Sequence, residues 1–152
     1  MINQEKKVST LLKTFHIAYE KLGYDKLSYK LNEAISTTLG DYETSILSFI
    51  NDLVCNDYNL KLKDLKKENI RGIKVEARSM CILLIKKHLN LPHEKIAYLF
   101  NRNNHSIVSQ AIQDFKTKKL SYKVKREQLF VDNYNKYDKK INNYKEFLEK
   151  NK

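Results

Sequence analysis

Residues 101–106 hold the side chains of this chain that are best suited to binding chemistry. They supply three carboxamides, a guanidinium, an imidazole and a hydroxyl, in the order Asn101, Arg102, Asn103, Asn104, His105 and Ser106. Carboxamide, imidazole and hydroxyl groups can pair with the edges of DNA bases, and a guanidinium binds phosphate oxygens. An amphipathic pattern begins where this segment ends, as it does in the recognition helix of a helix-turn-helix. The segment therefore predicts a turn and a helix start that contact DNA.

Three predicted helices position this segment. The first covers about residues 74–89 and ends before Pro92, which lacks an amide hydrogen and disfavours helix at the residue before it. A short helix over residues 92–100 follows. Asparagine tolerates left-handed backbone and caps helices, so residues 101–104 can form the turn without glycine. The recognition helix is predicted over about residues 105–118, with an inward face formed by Val108, Ala111, Ile112 and Phe115.

The chain as a whole is predicted to be all-α. Its 152 residues include three glycines and one proline, too few for the turns of a many-stranded sheet, and 41% are apolar, enough for one core. We expect N-terminal helices over residues 1–40, separated at Gly23, whose role the sequence leaves open. A helix-turn-helix domain is expected over residues 41–130, with its first helix capped by Asp41. A C-terminal helical extension is expected over residues 131–152.

Positive charge is concentrated on the helix-turn-helix segment. The chain carries a formal net charge of +11. Residues 71–126 hold 13 basic and three acidic side chains, whereas residues 1–40 hold six and four, and residues 41–70 hold four and six. A helix-turn-helix that binds DNA phosphates needs positive charge on the same segment, as is found here. A lysine-rich composition that serves solubility is the alternative explanation for the charge alone.

The sequence gives little support to other chemistries. Cys55 and Cys81 lie among apolar residues, so we expect buried free thiols. His88 and His93 straddle the proline turn and do not form an i, i+4 metal pair, so no metal site and no cofactor is expected. The sequence lacks a Gly-x-x-x-x-Gly-Lys-Ser/Thr loop, which excludes ATP hydrolysis through that motif. His105 has no nucleophile or carboxylate at a recognisable spacing, so we do not expect an enzyme.

Two short motifs carry a family resemblance. Ala77-Arg78 stands near the start of one predicted helix, and Phe100-Asn101-Arg102-Asn103-Asn104-His105-Ser106-Ile107-Val108 spans the turn. Together they resemble the C-terminal DNA-binding domain of the bacterial replication initiator DnaA. Its signature is an Ala-Arg followed further on by Phe-Gly-Gly-Arg-Asp-His-Ser/Thr-Thr-Val. The resemblance covers roughly residues 42–141, and it implies a Trp-repressor-like helix-turn-helix that binds double-stranded DNA.

The resemblance, together with side-chain chemistry, implies three classes of site residue. Base contacts are expected from Asn103, Asn104, His105, Ser106 and Gln110. Arg71 is expected to enter the minor groove, because it aligns approximately with the arginine of the family's basic loop. Phosphate contacts are expected from Lys74, Arg78, Arg102, Ser109, Lys116, Lys118 and Lys119.

Local roles compete with DNA contacts at some of these positions. An ion pair with Glu76 or Asp64 is the alternative for Arg78, and a cap or a local hydrogen bond is the alternative for the helix-start residues. The family's aspartate is Asn104 here. A carboxylate accepts a hydrogen bond from cytosine N4, whereas a carboxamide pairs with adenine N6 and N7. The DNA sequence that the initiator recognises is therefore not assumed for this chain.

Two functions from different classes follow. The first is a sequence-specific double-stranded DNA-binding protein, a replication accessory factor or small transcriptional regulator without ATPase activity. The second is a protein-interaction or structural module built on a DnaA-like helical domain, with a protein partner held by residues 1–40.

The oligomeric state and location are also predicted. Residues 134–148 carry apolar side chains spaced three and four apart, which predicts either a strap on the chain's own core or a weak homodimer seam. We favour the monomer because two heptads are short for a stable coiled coil. The sequence has no apolar run long enough for a membrane span and no signal-peptide core. We therefore expect a cytoplasmic, nucleoid-associated protein, or one in the host cytoplasm if it is viral.

Overall fold

The structure, a computed structural model, describes residues 2–121 and 125–152. Every regular element within these ranges is an α-helix, which confirms the predicted all-α class. None of these helices combines the length and the hydropathy that a membrane span needs. Contacts divide the chain into two compact units, one that ends at Thr38 and one that covers Leu39–Lys152.

The first unit consists of helix α1, Ile2–Thr37. Gly23 interrupts this helix with φ 75° and ψ 168°, a backbone conformation that residues with a Cβ rarely adopt. The predicted break at Gly23 is therefore confirmed. The helical segment before the break exposes a set of large apolar side chains, namely Val8, Leu11, Leu12, Phe15, Ile17, Tyr19 and Leu22.

Helix α2, Asp41–Tyr58, opens the second unit. Its side chains Ile46, Ile50 and Val54 recur every four residues and are fully buried, as an amphipathic helix on a core requires. The N-cap is Gly40, and no side chain caps the helix there, so the predicted cap at Asp41 is wrong. Asp41 already lies inside the first turn, where its carboxylate can act only on the helix dipole.

Helix α4, Ile73–Leu89, forms the centre of the second unit, and the short helix α3, Leu62–Leu65, precedes it. All six residues from Met80 to Ile85 are buried, so α4 is covered on more than one face. Helices α2, α3 and α4 contact each other, and the later helices pack against α4 as well. Both cysteines are free and buried, as predicted.

The helix-turn-helix comprises α5, His93–Leu99, and α6, Ser106–Ser121. Pro92 occupies the N-cap position of α5, just outside the first turn in which it was predicted. Buried side chains on both helices, Ile96, Ala97, Val108, Ala111 and Phe115, join the core, while Ile112 is only partly buried. Small residues at 97 and 111 allow the two helices to approach closely, because alanine adds little bulk between them.

Helix α7, Lys125–Lys150, packs along its own unit. Tyr137 and Ile141 are fully buried, and Tyr144 stacks on Phe49 of α2 with ring centroids 4.1 Å apart. The Tyr137 hydroxyl donates a hydrogen bond to the Asp57 carboxylate at 2.8 Å. Tyr134, Tyr137 and Ile141 thus face the core of the same chain, as the strap alternative predicted, whereas Phe147 is exposed.

Polar contacts also tie α4 to α7. The His88 imidazole is 2% exposed, and its Nε2 lies 2.8 Å from Asp138 Oδ1. Lys87 Nζ donates to the other carboxylate oxygen of Asp138 at 2.7 Å. Burial lowers the pKa of His88, although the Asp138 carboxylate favours the protonated ring. Burial also favours a neutral Asp138, but the contacts with Lys87 and His88 outweigh it and lower the pKa of this carboxyl.

Candidate nucleic-acid interface

The turn that leads into α6 starts with a Schellman motif at the end of α5. Asn101 has φ 56°, in the left-handed region, and its N–H donates to the Tyr98 carbonyl at 3.0 Å. The next N–H, that of Arg102, donates to the Ala97 carbonyl at 2.9 Å. These two bonds satisfy carbonyls at the end of α5 and fix the direction in which the chain leaves it. The prediction that asparagine replaces glycine in this turn is confirmed at Asn101.

Asn104 closes the turn with an Asx turn, one residue before the N-cap position of α6, which His105 occupies. Its Oδ1 accepts a hydrogen bond from the Ser106 N–H at 2.9 Å, and the His105 carbonyl accepts the first helical bond, from Ser109 N–H at 3.4 Å. The helix therefore begins at Ser106, one residue later than predicted. Asn104 is exposed, and its amide NH₂ group has no partner within the described residues. The hydrogen bond to Ser106 restrains that side chain and leaves its NH₂ donors unused within the described residues.

A cavity of about 360 Å³ lies at the start of α6. Its lining combines the turn, the first two turns of α6 and one residue of α4, and consists of Arg78, Arg102, Asn103, Asn104, Ser106, Ile107 and Gln110. Free N–H groups and the dipole at a helix N-terminus favour an anion, and two guanidinium groups add to that preference. The site is therefore electropositive, and all of its lining residues except Ile107 carry polar side chains.

Arg78 gives this cavity its unusual character. The residue is only 8% exposed, and its Nη1 is buried without a hydrogen-bond partner among the described residues. Burial, followed by the nearby charge of Arg102, lowers the pKa of Arg78 to about 10, so the side chain is still cationic at pH 7. A buried cation that lacks a partner is unfavourable, and an anion in the cavity would remove the penalty.

The predicted alternative for Arg78, an ion pair, is wrong within the described residues. Glu76 instead accepts from the Tyr58 hydroxyl and from Arg126, each at 3.0 Å. Asp64 pairs with Lys67 at 3.1 Å. Both candidate carboxylates are thus engaged elsewhere, and Arg78 lines the cavity.

The residues predicted to read bases lie together at the start of α6. All five are exposed, and four of them, Asn103, Asn104, Ser106 and Gln110, line the cavity. His105 lies between Asn104 and Ser106 in the chain and is exposed as well. Gln110 donates from Nε2 to Asp114 Oδ1 at 2.8 Å, which leaves its carbonyl oxygen as the group able to accept from a base.

The residues predicted to bind phosphate differ in their exposure and in the groups that they contact. Lys116 is exposed on α6, and Lys74 is partly buried near Asp64. Lys118 and Lys119 instead lie over aromatic rings, with Nζ 4.1 Å from the Phe130 centroid and 4.6 Å from the Phe115 centroid respectively. Cation–π contacts hold these two ammonium groups toward the α6–α7 contact, so they are less suited to reach DNA than the sequence predicted.

Two contacts of the predicted site residues were not foreseen. Ser109 Oγ lies 3.4 Å from His93 Nδ1 on α5. Arg102 Nη2 donates to the backbone carbonyl of Glu68, which lies in the loop before α4 that also carries the exposed Arg71. Neither has a signal in the sequence, because the partners are 16 and 34 residues apart.

Comparisons with known proteins agree with this geometry. A family model described as the helix-turn-helix of the bacterial DnaA protein matches residues 47–114. No curated protein sequence matches the chain.

Two solved structures share the fold. One is a replication initiator DnaA bound to AMPPCP and single-stranded DNA, 22% identical, and the other is a crystal structure of a DNA replication initiation factor, 20% identical. Each aligns with 90% of this chain at a TM-score of 0.52, and the chain spans 37% of the length of each of them. Residues 47–114 thus match the DnaA helix-turn-helix family model, and the chain shares the fold of the two initiator structures.

Proposed function

We propose that this chain binds double-stranded DNA in a sequence-specific manner through the start of α6. The DnaA helix-turn-helix family suggests DNA binding in general terms. In the proposed complex, α6 enters the major groove with its N-terminal residues toward the bases, and the loop that carries Arg71 reaches the minor groove.

The observation that carries this proposal is the buried side chain of Arg78, which has no ion-pair or hydrogen-bond partner among the described residues. An anion nearby offsets the cost of a buried cation that has no carboxylate, and the cavity beside Arg78 is open to solvent at the start of a helix. A DNA phosphate in the cavity would place a negative charge beside the Arg78 side chain, which lines the cavity wall, and would offset the cost of its buried charge. Phosphate bound there would place the neighbouring bases beside the exposed side chains of residues 103–106.

Base reading is assigned to Asn103, Asn104, His105, Ser106 and Gln110. Because Asn104 Oδ1 already accepts from the Ser106 N–H, its free NH₂ group is the part best placed to contact a base. A second lone pair on Oδ1 still allows the two-point contact with adenine that a carboxamide makes. Further phosphates are assigned to Arg102, Lys74, Ser109 and Lys116, and more distantly to Lys118 and Lys119.

The role of this DNA binding is that of a replication accessory factor or a small transcriptional regulator. The sequence lacks the phosphate-cradling loop of P-loop ATPases, so no ATP hydrolysis, cofactor or catalytic step forms part of the proposal. The cytoplasm, at the nucleoid, is the location that this role requires, or the host cytoplasm for a viral protein. Burial of Tyr137 and Ile141 on their own core supports a monomer over a dimer seam at residues 134–148.

The alternative function is a protein-interaction module. Val8, Leu11, Phe15 and Leu22 follow helical spacing on α1 and are exposed, as a surface for a partner helix would be. A variant that lacks residues 1–38 separates the two functions. DNA affinity should be retained if unit two binds DNA alone, and only the capture of a protein partner should be lost.

The direct test of DNA binding is a salt titration with duplex and single-stranded oligonucleotides. Contacts to about four to seven phosphates give a slope of roughly −4 to −6 in log K against log salt, since each contact contributes about −0.9. Lys116→Ala should make the slope shallower by about one contact. Lys139→Ala, which removes the same charge from an exposed position on α7, should not. Salt-independent binding, or a preference for single strands, would contradict the proposal.

A further inference from the structure

The loop between α3 and α4 has little that holds it in place. Residues 67, 68 and 69 are exposed, as are Arg71 and Gly72, and Gly72 takes φ 60° to enter α4. Among the described residues, the backbone from Glu68 to Arg71 makes one hydrogen bond to another element, and the donor is Arg102. An exposed segment with so few contacts would otherwise sample many conformations.

Arg102 is itself fixed at its backbone. Its N–H is held by the Ala97 carbonyl at 2.9 Å, as the last bond of the Schellman motif. From that position its partly buried guanidinium lines the cavity beside Arg78 and donates from Nη2 to the Glu68 carbonyl. A charge-assisted bond of this kind is stronger than one between neutral groups. The turn before the recognition helix is therefore joined to the loop 34 residues earlier in the chain.

We propose that Arg102 is a positioning residue that holds the loop of residues 68–71, and with it Arg71, in register with α6. This inference rests on the proposed function. Arg102 then has a second role besides phosphate binding. It links the major-groove contacts of α6 to the minor-groove contact of Arg71. An ordered loop presents Arg71 to the adjacent minor groove without the entropy loss of fixing it on binding.

The first test uses the free protein and does not depend on DNA. Backbone ¹⁵N order parameters of Asn69, Ile70 and Arg71 should be near about 0.8 in the unaltered chain and fall below about 0.6 in Arg102→Ala. Lys116→Ala removes a cation from α6 outside the turn and should leave these values unchanged. Equal order parameters in all three proteins would overturn the proposal, whatever the protein binds.

The second test is a double-mutant cycle on a selected duplex. Arg71→Ala and Arg102→Ala should each weaken DNA binding about tenfold or more. The double variant should lose much less affinity than the product of the two single losses. Lys116→Ala combined with Arg71→Ala should instead give the product, since these residues act independently. Additive losses for Arg71 and Arg102 would mean that Arg102 binds phosphate and does not position the loop. Absence of duplex binding by the unaltered protein would refute the proposed function, while the order parameters would still decide the coupling.

Discussion

Replacing Arg78 by methionine should stabilise the protein and weaken its binding to DNA. Arg78 is 8% exposed, its Nη1 has no hydrogen-bond partner among the described residues, and an unsatisfied buried polar group costs about 1–3 kcal/mol. Methionine keeps an unbranched apolar stem for the same space and removes the unpaired charge. After a small loss from imperfect packing, we expect the free energy of unfolding to rise by about 1–2 kcal/mol.

Two assays measure the two effects. Urea unfolding of the full chain should give the increase in stability, and the melting temperature should rise by roughly 3–10 °C. Binding to a selected duplex should weaken by about 10- to 100-fold, the value of a hydrogen bond to a charged group. Lys116→Met is the matched control, because it removes an exposed cation from α6. It should weaken binding while changing stability by less than about 0.5 kcal/mol.

Either of two results would refute the reasoning on Arg78. If Arg78→Met lowers the free energy of unfolding by more than about 1 kcal/mol, the guanidinium satisfies a structural role in the free protein. If stability rises but DNA affinity is unchanged, the cavity at the start of α6 is not a phosphate site.

Further predictions follow from other contacts. Asn104→Ala removes the hydrogen bond from the Ser106 N–H, so it should lower stability by about 1 kcal/mol and weaken specific more than non-specific binding. Asn104→Asp keeps that hydrogen bond and should shift the base preference toward cytosine. An unchanged preference in a site selection would refute the assignment. The pKa of His88 is lower in the folded protein than its ordinary 6.5, so the unfolded chain binds more protons as the pH falls. The contribution of His88 to the free energy of unfolding should therefore be fully present above about pH 6.5 and decrease toward about pH 5. Urea unfolding at about pH 6.5 and about pH 5 measures this difference. The free energy of unfolding of His88→Gln should depend less on pH over the same range. Deleting residues 134–152 should lower the melting temperature and increase binding of an apolar dye, while a halved mass in light scattering would indicate a dimer seam instead.

The helices were largely predictable from the sequence because their patterns are local. The four-residue recurrence of Ile46, Ile50 and Val54 marks the buried face of α2, and Pro92 ends the preceding segment for steric reasons that need no tertiary context. The left-handed turn at Asn101 was predictable for the same reason. Helix starts were less accurate, since a cap depends on which of two adjacent residues leaves the helical conformation.

The environment of the site residues was not predictable, because it depends on other elements. Periodicity gave α4 one inward stripe through Ala77 and Cys81, but neighbouring helices cover more of it, and Arg78 is buried as a result. Lys118 and Lys119 were expected to face phosphates, yet aromatic side chains of α6 and α7 attract them. Phe130 and Tyr134 of α7, which are distant in sequence, take part in these contacts, although Lys119 also lies over Phe115 of its own helix.

The most direct test of the account is a selection of duplexes from a random pool by the purified full chain, repeated with His105→Ala. We expect the unaltered protein to enrich one short motif, and we expect the His105 variant to lose discrimination against scrambled duplex by roughly 1–3 kcal/mol while binding scrambled duplex nearly as well. No enriched motif, or equal loss of binding to both duplexes, would contradict sequence-specific recognition by the start of α6.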